Sequence, residues 1–153
     1  MIIRLYPEDY GWNQKQRWLE RFPQISLDEG NVSYSWMIKK CRLFISTYMA
    51  TTYNESLAAN IPTVIYWNPN QWKWSDSAES DFIALKSVGI FHDTPGSAAQ
   101  HVTRVWEDVA AWWYSSEVQT VRELFCRKYA HRGKDVIPKL AAVLKEAAHS
   151  NHL

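Results

Sequence analysis

The sequence predicts an α/β layer fold: one parallel sheet of four or five strands, followed by a helical carboxyl-terminal tail. Short apolar runs alternate with segments of helical spacing as far as His92, and from Ser97 onward the spacing is helical alone. Within the alternating part, Leu43 to Trp67 reads as strand, short helix, strand, a crossover unit that sets its two strands parallel.

The elements follow in order. Ile2 to Tyr6 is an apolar run ended by Pro7, and Gln14 to Phe22 has helical spacing through Trp18, Leu19 and Phe22. Gln24 to Leu27 reads as a short strand. Ser33 to Cys41 reads as a helix capped by Ser33 or Ser35. Leu43 to Tyr48 is a buried strand, Thr52 to Asn60 a helix closed by Pro62, and Thr63 to Trp67 a second buried strand. An irregular polar and aromatic stretch, Asn68 to Ser75, precedes a helix from Asp76 to Ser87 and a strand from Ile90 to His92. Val102, Val105, Trp106, Val109 and Trp113 keep a three-and-four spacing, as do Val118, Val121, Leu124 and Phe125 in a helix from Ser116 to Tyr129. Arg132-Gly133-Lys134 breaks that helix, and Asp135 to Ala148 forms the last, with Pro138 near its first turn. No repeat or linker divides the chain, so residues 1–153 are expected to form a single Rossmann-like layered domain.

Composition excludes several functions. The 153 residues are 46% hydrophobic, enough for one core. Seventeen Lys and Arg against sixteen Asp and Glu leave a net charge of +1, too little to steer the molecule towards nucleic acid or an anionic membrane. Cys41 and Cys126 lack disulfide-framework or zinc spacing, which fits a reducing cytoplasm. No apolar stretch approaches the roughly 18 residues of a spanning helix, and the opening residues lack a signal-peptide layout. Nine Trp and eight Tyr exceed what a core this size needs, so some rings serve a surface, as a partner interface or for stacking on sugars or bases.

In an open parallel sheet, ligands bind beyond the carboxyl ends of the strands, where helix amino termini also point. Three loops there carry chemistry. In Met49 to Glu55, Thr51 or Thr52 is placed to cap the helix, whose free amides and dipole suit a phosphate, with Asn54 facing outward. Glu55, three residues after Thr52, also fits a capping box. The Tyr6 to Trp12 loop holds Glu8 and Asp9 among three rings, and Arg4 on the strand before it either pairs with an acid such as Asp9 or faces an anionic ligand. Asn68 to Trp74 alternates rings with a cation, suited to stacking, a lid or packing. Trp106, Trp112 and Trp113 have the spacing of helix core. The Arg127, Lys128, His131, Arg132 and Lys134 cluster reads as a basic helix end. The glycines make neither GxGxxG nor a Walker A loop, no GxSxG is present, and His92, His101, His131, His149 and His152 lack metal-ligand spacing. No metal or cofactor is expected.

The run from Arg42 to Ile65, with Thr51, Thr52, Glu55 and Pro62, resembles the carboxyl-terminal half of bacterial surface-carbohydrate transferases of the GT-B fold. Arg4-Leu-Tyr-Pro-Glu-Asp-Tyr-Gly-Trp12 and Val88 to Ala99 are similar to the same family. The resemblance implies a domain that binds a nucleotide-activated sugar, Thr51 and Thr52 meeting diphosphate, Glu55 the ribose, and Arg4 neutralising charge on the leaving group. Asp9, Asn54 and Asn68 complete the candidate ligand-binding set. It further implies that turnover needs an amino-terminal acceptor domain, absent from these 153 residues, so the chain is expected to be inactive alone. The rival expectation is a non-catalytic interaction domain, a homodimer or partner contact through exposed Trp and Tyr.

Overall fold

A computed structural model describes residues 1–131, 133 and 136–150, the last two without side chains. The contacts divide the chain into two compact units, residues 1–41 and 42–153.

In the first unit, β1 (Ile2–Arg4), α1 (Gln14–Arg21), β2 (Ser26–Asp28) and α2 (Tyr34–Lys40) follow one another. β1 and β2 pair in parallel, Ile2 opposite Ser26 and Arg4 opposite Asp28. A parallel pair needs a crossover, and α1 supplies it.

The second unit carries β3 (Phe44–Ser46), α3 (Thr51–Ala58), β4 (Thr63–Tyr66), α4 (Glu79–Ser87), β5 (Phe91–His92), α5 (Pro95–Val105), α6 (Val109–Trp113), α7 (Ser116–Tyr129) and α8 (Val136–Ser150). A 3-10 turn, Asp76–Ala78, leads into α4. The sheet order is β3-β4-β5, all parallel, with Ser46 opposite Ile65 and Ile65 opposite Phe91. Thr63, Val64 and Ile65 of the central strand are fully buried, as expected where helices cover both faces. Its β-branched run suits that position.

The expectation of one sheet of four or five strands needs correction. Among the described residues five strands are present, all in parallel pairs, but they form separate sheets of two and three. Periodicity marks a strand without marking its neighbours, and β1 and β2 are more exposed than the central β4.

Both helices that feed the three-stranded sheet end alike. At the end of α3, the Asn60 amide bonds the Leu57 carbonyl and the Ile61 amide bonds Ser56, with Asn60 left-handed at φ 56°. At the end of α4, Gly89 bonds Lys86 and Ile90 bonds Leu85, with Gly89 at φ 79°. These are Schellman turns, so Asn60 stops α3, and Pro62 lies beyond the stop. The two positions differ in side chain for a packing reason. A Cβ on Gly89 would lie 2.3 Å from Cε1 of His101, whereas the Asn60 side chain is itself a fastener. Asn60 Oδ1 accepts from Trp113 Nε1 at 2.9 Å and from Gln119 Nε2 at 3.1 Å. Arg122, buried on α7, donates to the Leu57 carbonyl at 3.1 Å and to Gln119 Oε1 at 3.0 Å.

Trp67 is the hub of the core, its ring 4.9–5.6 Å from those of Tyr53, Phe82 and Phe91. Trp74 stacks on Phe82 at 4.4 Å, so this ring of the Asn68 to Trp74 stretch packs, while Trp72 stays exposed. Trp113 is fully buried and Trp112 bonds the Val88 carbonyl, but Trp106 lies at the surface beneath Arg42. Arg42 also donates to the carbonyls of Trp106 and Glu107. At the basic end of α7, Lys128 and Tyr129 both hold Asp81 of α4, so Lys128 is a brace. Arg132, Lys134, Asp135, His152 and the His149 side chain lie outside the described residues.

Candidate functional site

The turn from β3 into α3 leaves the sheet at its carboxyl end. Because β3 and β4 are adjacent and parallel, the Asn68 loop leaves at the same end. Helix α3 begins one residue earlier than its spacing predicts. Ala50, extended at φ −134°, is the N-cap, and its side chain makes no cap hydrogen bond. The expected capping by Thr51 or Thr52 is therefore not made, nor is the Thr52–Glu55 capping box, because both threonines already lie inside the first turn. Thr51 and Glu55 are exposed, one turn apart on α3. Asn54 is half-buried, and its Oδ1 is enclosed without a donor. By contrast, Thr94, Asp108 and Ser115 side chains cap α5, α6 and α7.

Asn68 is exposed, and its Oδ1 accepts the Asn70 amide at 2.9 Å, an Asx turn that occupies the oxygen and leaves the side-chain NH2 outward. Neither surface cavity described below is lined by residues of the 49–55 turn or by Asn68.

The other two candidates belong to the first unit. Arg4 pairs with the buried Asp28, not with Asp9: NH1 lies 3.0 Å from Oδ2 and also donates to the Val32 carbonyl at 3.0 Å. The contact with Oδ2 is a charge contact without hydrogen-bond alignment. Arg4 thus ties β1 to β2, and an anion drawn to it competes with Asp28. Asp9 Oδ1 accepts the amides of Trp12 at 2.9 Å and Asn13 at 3.2 Å, fixing the loop that enters α1. Asp9 also lines a cavity of about 540 Å³ with Asn13, Lys15, Gln16, Leu19 and Glu20. Beside it, the Tyr6, Tyr10 and Trp12 rings run in file. Hydrogen bonding with Glu8, then with Tyr6, pushes the Tyr10 hydroxyl up to about 12.

A second cavity, about 390 Å³, is lined by Lys86, Gly89, His92, His101, Arg104 and Trp112, among others. Burial, then the neighbouring His92 and Arg104, lowers His101 to about 4. Burial likewise lowers His92, whose Nε2 meets the Gly89 carbonyl at 3.0 Å. His101 Nε2 is enclosed and without a partner. Spacing alone hid this pair, since the contact forms only when β5 and α5 pack. Among the described residues, no group of three or more His, Cys, Asp or Glu side chains is placed to hold a metal ion. Nor is any described helix long and apolar enough to cross a membrane.

Parallel α/β units with a helix start at the strand ends belong to a class that commonly binds phosphorylated ligands. The chain belongs to the LIC12162 family transferases, whose family model matches residues 1–144. No curated protein and no solved structure matches the chain.

Proposed function

We propose that this transferase binds the nucleoside diphosphate of an activated sugar at the amino end of α3, and that it serves the synthesis of a cell-surface glycan in the manner of GT-B enzymes. The uncapped first turn of α3 carries this reading. Its dipole and unfilled cap position favour an anion, Thr51 adds a hydroxyl, and Glu55 stands one turn on, where a carboxylate accepts from ribose hydroxyls. Asn54, expected to face outward, has its Oδ1 enclosed and so has at most a supporting role, while the Asn68 amide borders the same sheet end. Arg4 and Asp9 have second roles at most, because each already holds a partner within its own unit.

Donor binding alone does not transfer a sugar. The acceptor and its general base come from a further domain or polypeptide, and without it the chain binds without turnover. That Cys41 and Cys126 are not joined in a disulfide suits the reducing cytoplasm as its setting.

The reading is tested by thermal unfolding with UDP, GDP, CDP and CMP at about 5 mM. At least one nucleotide raises the melting temperature, and Glu55→Ala reduces that rise while leaving the unliganded melting temperature unchanged. A flat response to all four rules the reading out.

A further inference from the structure

We propose that Tyr6, Tyr10 and Trp12 form a stacking platform for a saccharide chain. The inference rests on the glycan-transferase reading above.

The three rings succeed one another at centroid distances of 5.8 and 5.5 Å, tilted by 33° and 51°. They are 50%, 57% and 59% exposed, an arrangement that leaves apolar faces in water. Hydrogen bonds and two left-handed residues shape the loop holding them. Asp9 clamps the amides of Trp12 and Asn13, Gly11 takes φ 80°, and Asn13 takes φ 50°. A fixed file of rings binds with little ordering cost.

The surroundings select the occupant. Glu8 and Asp9 lie between Tyr6 and Tyr10, and the cavity that Asp9 lines adds Asn13, Gln16 and Glu20, planar groups that pair with hydroxyls, together with Lys15, whose charge is met by Glu29 at 2.8 Å. The carboxylates repel phosphate, so the platform does not suit a nucleotide. The exposed ring surface is roughly 300 Å². A protein partner requires about 800 Å² per side, so a narrow ribbon suits a slender ligand instead. A pyranose ring has an apolar C–H face and a hydroxyl edge. Its face covers an aromatic ring while its edge reaches the acids and amides.

The test uses the full chain, ¹⁵N-labelled, with the Trp12 indole signal assigned through Trp12→Phe. Maltohexaose, chitotetraose and mannotetraose, all uncharged, are each added to about 20 mM, and UDP is added separately. At least one saccharide moves the Trp12 indole signal and leaves the amides of Thr51 to Asn54 in place. Tyr10→Ala and Trp12→Ala each weaken that binding at least about tenfold, and neither alters the response to nucleotide. Saccharide binding without any nucleotide response upholds the platform and removes the donor reading. An unmoved Trp12 signal with all three saccharides overturns the platform, whatever the nucleotides do. So does saccharide binding that both alanine variants retain, or a dimer that they split without touching saccharide affinity.

Discussion

The two ends of α3 are built on opposite principles. At the carboxyl end, Asn60 takes the left-handed turn and its side chain receives Trp113 and Gln119, while Arg122 holds the Leu57 carbonyl. Asn60 Oδ1 and the Leu57 carbonyl thus each have a fastener from α6 or α7. At the amino end the N-cap is an alanine, whose side chain makes no cap hydrogen bond. A helix held firmly at one end can leave the other open at little cost, because packing and not capping supplies most helix stability. The contrast assigns folding to the braced end and leaves the open one to the ligand we propose.

Breaking the braced end gives the largest effect. Trp113→Ala empties a fully buried site and removes the indole donor to Asn60, and should cost about 3–5 kcal/mol in urea denaturation. A loss below about 1 kcal/mol would show that α6 and α7 do not hold α3.

The parallel turn at α4 sharpens the same point. Gly89→Ala must keep φ 79° and place a methyl against His101, for a loss of about 2–4 kcal/mol. Asn60→Gly keeps the turn but loses the fastener, costing about 1–2 kcal/mol. Equal losses at the two sites would mean that the turns, and not their side chains, decide.

The His92–His101 contact adds a dependence on pH. Both imidazoles are held neutral in the fold, His101 at about 4 against 6.5 when unfolded. The unfolded chain therefore binds more protons, so stability is full above 6.5 and falls as pH drops towards 4. Lys86, Arg104 and Asp93 surround the pair, and Asp93 is already engaged by Lys86. From pH 7 to pH 5 His101 alone should account for a loss of about 2 kcal/mol. In His101→Gln the loss should shrink by most of that amount, and an unchanged slope would assign it to other groups.

At the open end the effect on stability is smallest and its sign reverses. Ala50→Ser or Ala50→Asp supplies the missing cap and should stabilise the chain by about 0.5–1 kcal/mol. The added cap competes for the amides that an anion would take, so nucleotide binding should weaken. A cap that stabilises without weakening nucleotide binding would place the phosphate elsewhere.

Much of the second unit was legible in the sequence. The β-branched run of β4 announces a strand buried on both faces, and the helix between β3 and β4 follows from their parallel pairing. Sheet membership was not legible, because hydrogen-bond partners are set by tertiary packing. Arg122 left a signal that was passed over: it sits four residues after Val118 and three before Phe125, a cation on the apolar face of α7. Asn60 was read through the proline after it, although Asn is the residue best able, after Gly, to take the left-handed turn. At the candidate site, spacing marks a helix start near the threonines but places it one residue late, and that shift turns the expected threonine cap into an alanine N-cap. Arg4 was legible as a cation needing a partner; which acid answered depended on the β1–β2 register, which sets Arg4 opposite Asp28.

The most direct measurement is a ¹⁵N titration of the chain with nucleoside diphosphates, read at the amides of Thr51, Thr52 and Tyr53. The account predicts saturable shifts concentrated on these three amides, abolished by Ala50→Asp and diminished by Glu55→Ala. Shifts that cluster elsewhere, or that persist undiminished in Ala50→Asp, would contradict it.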